Sequence, residues 1–193
     1  VEVQVTRHPI FQRQDMNIFS TAPITFAQAA LGGDVKISTV DGDVLYTVKP
    51  GTQTDTKIRL KGKGNPGFNG GEAGDLLLKV NIQPKPGYER NGMDVYTTTE
   101  IPFTTAVFGG EAKVSTLYGD VICRIPEGAQ TGRKIRLKGK GIVSMKNPSV
   151  HGDQYVTIRI QVPQDLSPEA KEKLREFQQV CRNDERKRRG SVA

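Results

Sequence analysis

Two stretches of the chain set lysine, arginine and glycine at the spacing of an anion-binding loop. Gly51–Gly64 reads GTQTDTKIRLKGKG and Gly128–Gly141 reads GAQTGRKIRLKGKG, identical at eleven of fourteen positions. Gly62-Lys63-Gly64-Asn65-Pro66-Gly67 also matches G-x-G-x-x-G. Such a loop holds a pyrophosphate when its third glycine opens a helix, whose first N–H groups face the anion. Here Phe68-Asn69-Gly70-Gly71-Glu72-Ala73-Gly74 follows, which reads as loop. The second copy, Gly139-Lys140-Gly141-Ile142-Val143-Ser144, has lost the third glycine. The stretch is better read as a strand, Lys57–Lys61, running into a turn whose glycines permit positive φ.

Other chemistry is weaker still. His8 and His151 sit at non-equivalent places, and neither has an acidic or thiol partner at motif spacing. Asp75 and Asp153 each follow a glycine at a strand entry, where a turn aspartate is expected. No nucleophile-elbow, zincin or paired-carboxylate pattern is present, so an enzyme is not expected. Cys123 and Cys181 are far apart and supply neither a zinc site nor a disulfide framework. Two lone thiols fit a reducing cytoplasm.

The formal charge is +7, of which +3 falls between Arg182 and Arg189. No apolar run approaches the roughly 18 residues of a membrane span. Arg59, Lys61, Lys63, Arg136, Lys138 and Lys140 form a repeated basic ridge that could track phosphates. Single-strand binders interleave such charges with exposed aromatics. Tryptophan is absent, and Tyr46, Phe103 and Phe108 stand in apolar contexts that read as core. Nucleic acid is therefore the alternative partner rather than the first.

The elements that position these residues come in duplicate. A shift of 77 aligns Phe11-Gln12-Arg13 with Tyr88-Glu89-Arg90, Ile24-Thr25-Phe26 with Ile101-Pro102-Phe103, and Ala30–Gly33 with Val107–Gly110. The register then slips by one, and Gly74-Asp75 meets Gly152-Asp153. Alternation of period two marks half-buried strands at Val35/Ile37, Val44/Tyr46/Val48, Leu76/Leu78/Val80/Ile82, Val121/Cys123/Ile125 and Val156/Ile158/Ile160. Thr25–Gly32 reads as a short capped helix, and Phe103–Gly109 as its poorer duplicate. The expected fold is all-β: two tandem sandwich-like domains over 1–82 and 83–163, each with a short helix. A terminal segment, 164–193, follows. In it Ser167 caps, Pro168 takes the first helical position, and Ala170, Leu174, Phe177 and Cys181 form one apolar stripe. That helix either packs on its own domain or dimerises, and its basic tail reads as solvated.

The motifs run in a recognisable order. His-Pro-x-Phe-x-Arg precedes Pro-Ile-Thr-Phe-x-x-Ala-x-Leu-Gly-Gly, then Pro-Gly-Thr-Gln, Arg-Leu-Lys-Gly-Lys-Gly and Gly-Asp-Leu. Over nearly the whole chain this resembles the C-terminal substrate-binding region of the DnaJ family, the J-domain co-chaperones of the seventy-kilodalton heat-shock chaperone. The resemblance implies a V-shaped homodimer held by the terminal helix, with Ala170, Leu174, Phe177 and Cys181 at the contact. It implies no catalytic site. It also implies that unfolded client polypeptides add a strand to a sheet edge beside a shallow apolar groove. By position, Ile18, Ser20, Ala22, Ile37 and Thr39 are the expected groove residues, with plain core as the other reading of Ile18 and Ile37. Lys36 and Lys57 are the expected dock for the partner chaperone's acidic tail.

Two departures from the family pattern bear on this. Zinc-bearing members insert C-x-x-C-x-G-x-G repeats in the first β domain, and this chain has none. No metal or cofactor is expected here: either the parent is of the zinc-free type or its zinc module lies upstream. The chain begins at Val1 without methionine, and Val1–Val5 aligns with Leu78–Ile82, so it reads as a fragment whose first strand closes a preceding domain. His-Pro-x-Phe commonly introduces the family's second β domain, which leaves open which repeat carries the groove.

Overall fold

The computed structural model describes residues 8–67 and 71–190. The strand expected at Val1–Val5 and the loop residues 68–70 lie outside that range. The first domain comprises β1 (Gln12–Gln14), β2 (Asn17–Thr25), α1 (Phe26–Leu31), β3 (Gly33–Thr39), β4 (Gly42–Val48), β5 (Lys57–Leu60) and β6 (Leu76–Gln83). The second repeats this order as β7 (Tyr88–Asn91), β8 (Asp94–Pro102), α2 (Phe103–Phe108), β9 (Gly110–Thr116), β10 (Gly119–Ile125), β11 (Lys134–Leu137) and β12 (Gln154–Gln161). A long helix, α3 (Pro168–Gly190), follows.

Each domain pairs a four-stranded sheet with a two-stranded hairpin. The sheet orders are β1-β2-β6-β5 and β7-β8-β12-β11, and the hairpins are β3-β4 and β9-β10. The central pairs β2/β6 and β8/β12 run parallel, and every other pair is antiparallel. Alternation explains the core. Ile18, Ala22 and Ile24 of β2 and Leu76, Leu78 and Val80 of β6 point one way, and the hairpin covers them with Val35, Ile37 and Val48. The second core uses Ile101, Val114, Cys123, Ile125, Val156 and Ile158 in the same manner.

Thr25 caps α1 through a complete capping box with Gln28, and Gly32 ends it at φ 79°. Pro102 stands at the equivalent of Thr25 and supplies no side-chain cap to α2. The sequence reading of Phe103 and Phe108 as core is corrected here. Phe108 is 77% exposed and Phe103 36%. Both lie at the end of domain two; Phe26, the duplicate of Phe103, is buried against domain two, whereas Leu31, the duplicate of Phe108, is itself 43% exposed.

That covering is a joint between the domains. Phe26 and Ala30 bury against Val95 and Ile142, with Tyr88 and Leu117 packed on them. The Phe26 and Tyr88 rings stand 5.8 Å apart. Arg90 crosses the joint, donating from Nη1 to the Thr52 carbonyl at 2.8 Å and from Nη2 to the Gly51 carbonyl at 3.2 Å. Burial lowers the guanidinium's pKa from its ordinary value. Gly51 has φ 82°, and a Cβ there would meet the Val143 carbonyl oxygen at 2.2 Å. Its duplicate Gly128 has φ 71° and nothing within 4 Å.

The two glycines separate backbone strain from close approach. Gly51→Ala and Gly128→Ala share the cost of alanine at positive φ, about 1–3 kcal/mol. Only Gly51→Ala also collides with domain two. Urea unfolding should place its midpoint clearly below that of Gly128→Ala; equal midpoints would show that the joint adds nothing to stability.

Candidate functional site

The outer face of the domain-one sheet is not covered by the hairpin. There, Phe19 of β2 pairs in register with Leu77 of β6, and Lys57 with Lys79. With Ile10, Ser20 and Thr21 they line an open groove of about 490 Å³. Lys79 forms an ion pair with Asp55 at 3.0 Å, whereas Lys57 has no ion-pair partner among the described residues. The groove borders a strand edge. β1 covers β2 only from Asn17 to Phe19, so beyond Phe19 the outer edge of β2 has no strand beside it among the described residues. An edge of this kind offers main-chain donors and acceptors to an added strand.

The sequence-derived groove residues divide around this face. Ser20 lines the groove and donates its hydroxyl to the Ile10 carbonyl at 3.0 Å. Ile18, Ala22 and Ile37 are at most 4% exposed and belong to the core, so they present no surface to a ligand. Thr39 is also buried, and its hydroxyl bonds the Gly42 carbonyl at the hairpin turn. The correction is one of phase. Ile18 and Phe19 are both apolar, and successive strand residues face opposite ways. The groove residues missed were Phe19, Thr21 and Leu77; for Phe19 and Leu77 the signal was an apolar residue next in sequence to a core position, and Thr21 carried none. Lys36 is already paired with Asp43 at 2.7 Å, which weakens it as a free cation. Lys57 lies in the groove.

The second domain holds a smaller groove of about 350 Å³ at the same place. Tyr96 and Tyr155 replace Phe19 and Leu77 there and stack at 5.2 Å. Thr97, Thr98 and Thr157 line the rest. The two grooves share a position but not a chemistry.

The repeated glycine–lysine turns are tied to carboxylates of the chain itself. The Gly62 N–H donates to Asp75 Oδ1 at 2.9 Å, and Arg59 Nε to Asp75 Oδ2. Gly139 and Arg136 hold Asp153 in the same way. The N–H that a phosphate loop would present is therefore occupied. Gly64 and Gly141 are explained by close passage, since a Cβ at either would lie 2.5 Å from the carbonyl carbon of Gly74 or Gly152. His8 is likewise structural, its Nδ1 accepting from the N–H groups of Ile10 and Phe11. Among the described residues, no group of three His, Cys, Asp or Glu could hold a metal.

A second apolar surface lies at the end of the chain. Ser167 caps α3 by accepting from the Ala170 N–H at 3.1 Å. From Lys171 to Lys187 every residue of the helix is exposed. Leu174 is 38% and Phe177 49% exposed, and Cys181 is exposed as well. Val180, 57% exposed, extends the stripe. Its spacing of three from Phe177 was the signal. Ala170, Leu174 and Phe177 face Phe103, Val107 and Phe108 of α2 across a groove of about 510 Å³.

This arrangement defines a class: a tandem β-repeat module with, among the described residues, an open strand edge beside an apolar groove. The model of the DnaJ C terminal domain matches residues 1–69 and again 46–163. The chain belongs to that family. It is similar to chaperone protein DnaJ of Lachnospira eligens, 40% identical over 129 residues, covering 67% of this chain and 34% of that protein. The same-named proteins of Staphylococcus epidermidis (39% identical, 72% of this chain and 37% of that one) and Streptococcus uberis (42%, 69% and 35%) align similarly. The chain thus spans about a third of the length of these relatives. Among the described residues no helix is long and apolar enough to cross a membrane.

The carboxylate knots carry a pH prediction. The Gly62 N–H above all, then Arg59, hold Asp75 below its usual pKa against the opposing effect of burial. Gly139 and Arg136 do the same for Asp153. Both carboxyls titrate lower folded than unfolded. Their stabilisation is therefore complete above the unfolded pKa of about 3.9 and is lost as pH falls through the lower folded value. Urea midpoints measured against pH should drop in this window, and the double variant Asp75→Asn/Asp153→Asn should be less stable at pH 7 with a shallower acid drop. An unchanged slope would show that other groups govern acid unfolding.

Proposed function

We propose that the chain is the client-binding and dimerising part of a DnaJ-type co-chaperone. An extended segment of an unfolded polypeptide adds to the open edge of β2 and seats its apolar side chains against Phe19, Leu77 and Ile10. The observation that carries this is the adjacency of a strand edge, unpaired among the described residues, and an apolar groove. Main-chain pairing is indifferent to sequence, and a shallow groove asks only for an apolar side chain, so many clients fit. Family membership supports delivery of such clients to a seventy-kilodalton heat-shock chaperone. Lys57, at the groove and without an ion-pair partner among the described residues, is the better dock for an acidic tail. No cofactor enters this scheme, and zinc would belong to another part of the parent protein. A nucleic-acid reading is less well supported, because Arg59 and Arg136 of the basic ridge are already bonded to carboxylates.

The dimer reading rests on α3. An isolated helix is marginal in water without a packed face. Here Leu174, Phe177 and Val180 form an apolar face left open. A second copy of α3 and its neighbouring α2 groove would cover it.

Fluorescence polarisation with a labelled extended apolar peptide, without nucleotide, tests the groove. Burying one large apolar side chain is worth about 1.5–3 kcal/mol, so Phe19→Asp or Leu77→Asp should weaken binding at least tenfold. Tyr155→Ser should leave it nearly unchanged. Undiminished binding in both domain-one variants would remove the groove from the mechanism. For the dimer, light scattering should show Leu174→Asp/Phe177→Asp at half the wild-type mass; an unaltered mass would discard α3 as the contact.

A further inference from the structure

Beside the buried joint lies an open pocket of about 320 Å³ to which both domains contribute. Domain one supplies Leu31 at the end of α1, with Lys49 and Pro50 of the loop after β4. Domain two supplies Tyr118 of the β9-β10 turn, Met145 and His151. Ala30 belongs to both places, buried in the joint core and lining the pocket, so the pocket continues an interface that the fold already holds together. Its walls are set before any ligand arrives. The Tyr118 hydroxyl donates to the Gly141 carbonyl at 2.9 Å, and its ring meets His151 edge-on at 5.8 Å. Gly51 lets the domain-one loop lie directly against the Val143 carbonyl. Tyr118 stands where the first repeat has Asp41, an exposed turn residue. Leu31, Tyr118 and Met145 are 42–44% exposed, so this apolar surface is reachable from solvent.

The lining selects a class of ligand. Sites for small molecules span about 300–1,000 Å³, are mostly apolar and favour domain boundaries. Lys49 and His151 are the basic groups of this pocket, and no carboxylate lines it. Lys49 has no ion-pair partner among the described residues. The walls are a helix end, turns and a loop, so an added strand finds no edge to pair with. We propose that the pocket binds a small amphipathic carboxylate, with its aliphatic chain packed on Leu31, Tyr118 and Met145 and its anionic end at Lys49. Neither client binding nor dimerisation is required for this. Because both domains build the walls, the ligand binds the joined form alone and steadies the joint by mass action.

Isothermal titration calorimetry with octanoate, and with octanol as its uncharged counterpart, tests this. The chain carries Leu174→Asp/Phe177→Asp throughout, so that the groove between α2 and α3 does not compete for the probe. One octanoate should bind per chain, with octanol binding more weakly. Met145→Glu removes apolar contact and sets a like charge beside the probe, and should weaken octanoate about tenfold or more. Leu31→Glu, on the other domain, should do the same; it carries the test if circular dichroism shows Met145→Glu to be unfolded. Lys49→Gln should abolish the preference for octanoate over octanol. Absence of saturable binding, octanol bound as tightly as octanoate, or an affinity untouched by both glutamate variants overturns the inference. A loss in Phe19→Asp with none in Met145→Glu assigns the probe to the domain-one sheet groove and overturns it equally.

Discussion

Parallel pairing of the two central strands is the constraint on which each domain is built. Antiparallel neighbours can be joined by a two-residue turn, but parallel neighbours need a long crossover. Between the end of β2 and the start of β6 the chain must return the length of the sheet. It uses that return for α1, the β3-β4 hairpin and β5. The hairpin closes one sheet face and completes the core, and β5 flanks β6. Among the described residues the other sheet face stays uncovered, and the groove lies there. Asp75 marks the point where the crossover rejoins the sheet. Its carboxylate holds Arg59 and the Gly62 N–H, and its own N–H donates to Asn17 at the start of β2.

Much of this was legible in sequence because burial follows alternation. The duplicated strands, the capped helix at Thr25 and the apolar stripe from Ala170 to Cys181 could be read from spacing alone. The groove could not. It depends on the register between β2 and β6, strands separated by the whole crossover, and on which of two adjacent apolar residues faces inward. Ile18 and Phe19 are indistinguishable on that criterion. Phe103 and Phe108 failed for a related reason. Apolar context locates a residue on a packed surface but does not say whether the packing partner is present in the same stretch of chain.

The copies have kept their scaffold and parted at their surfaces. The Arg–Asp–Gly knot, the hairpin pairs Lys36–Asp43 and Lys113–Asp120, and the threonine at each hairpin turn are preserved almost atom for atom. The outer sheet faces differ, phenylalanine and leucine in one and stacked tyrosines in the other. Duplication supplied two identical platforms, and the exposed face of each was then free to take its own character. For a DnaJ-family chain this separates what maintains the fold from what faces outward.

The domain joint has a property that side-chain interfaces lack. Arg90 recognises the carbonyls of Gly51 and Thr52, atoms that every residue possesses. The receiving loop therefore needs the right backbone shape and one glycine, and little else. Its remaining residues can drift without loosening the joint. A connector of this kind can be copied along a chain, with each new domain arriving already fitted to the one before it.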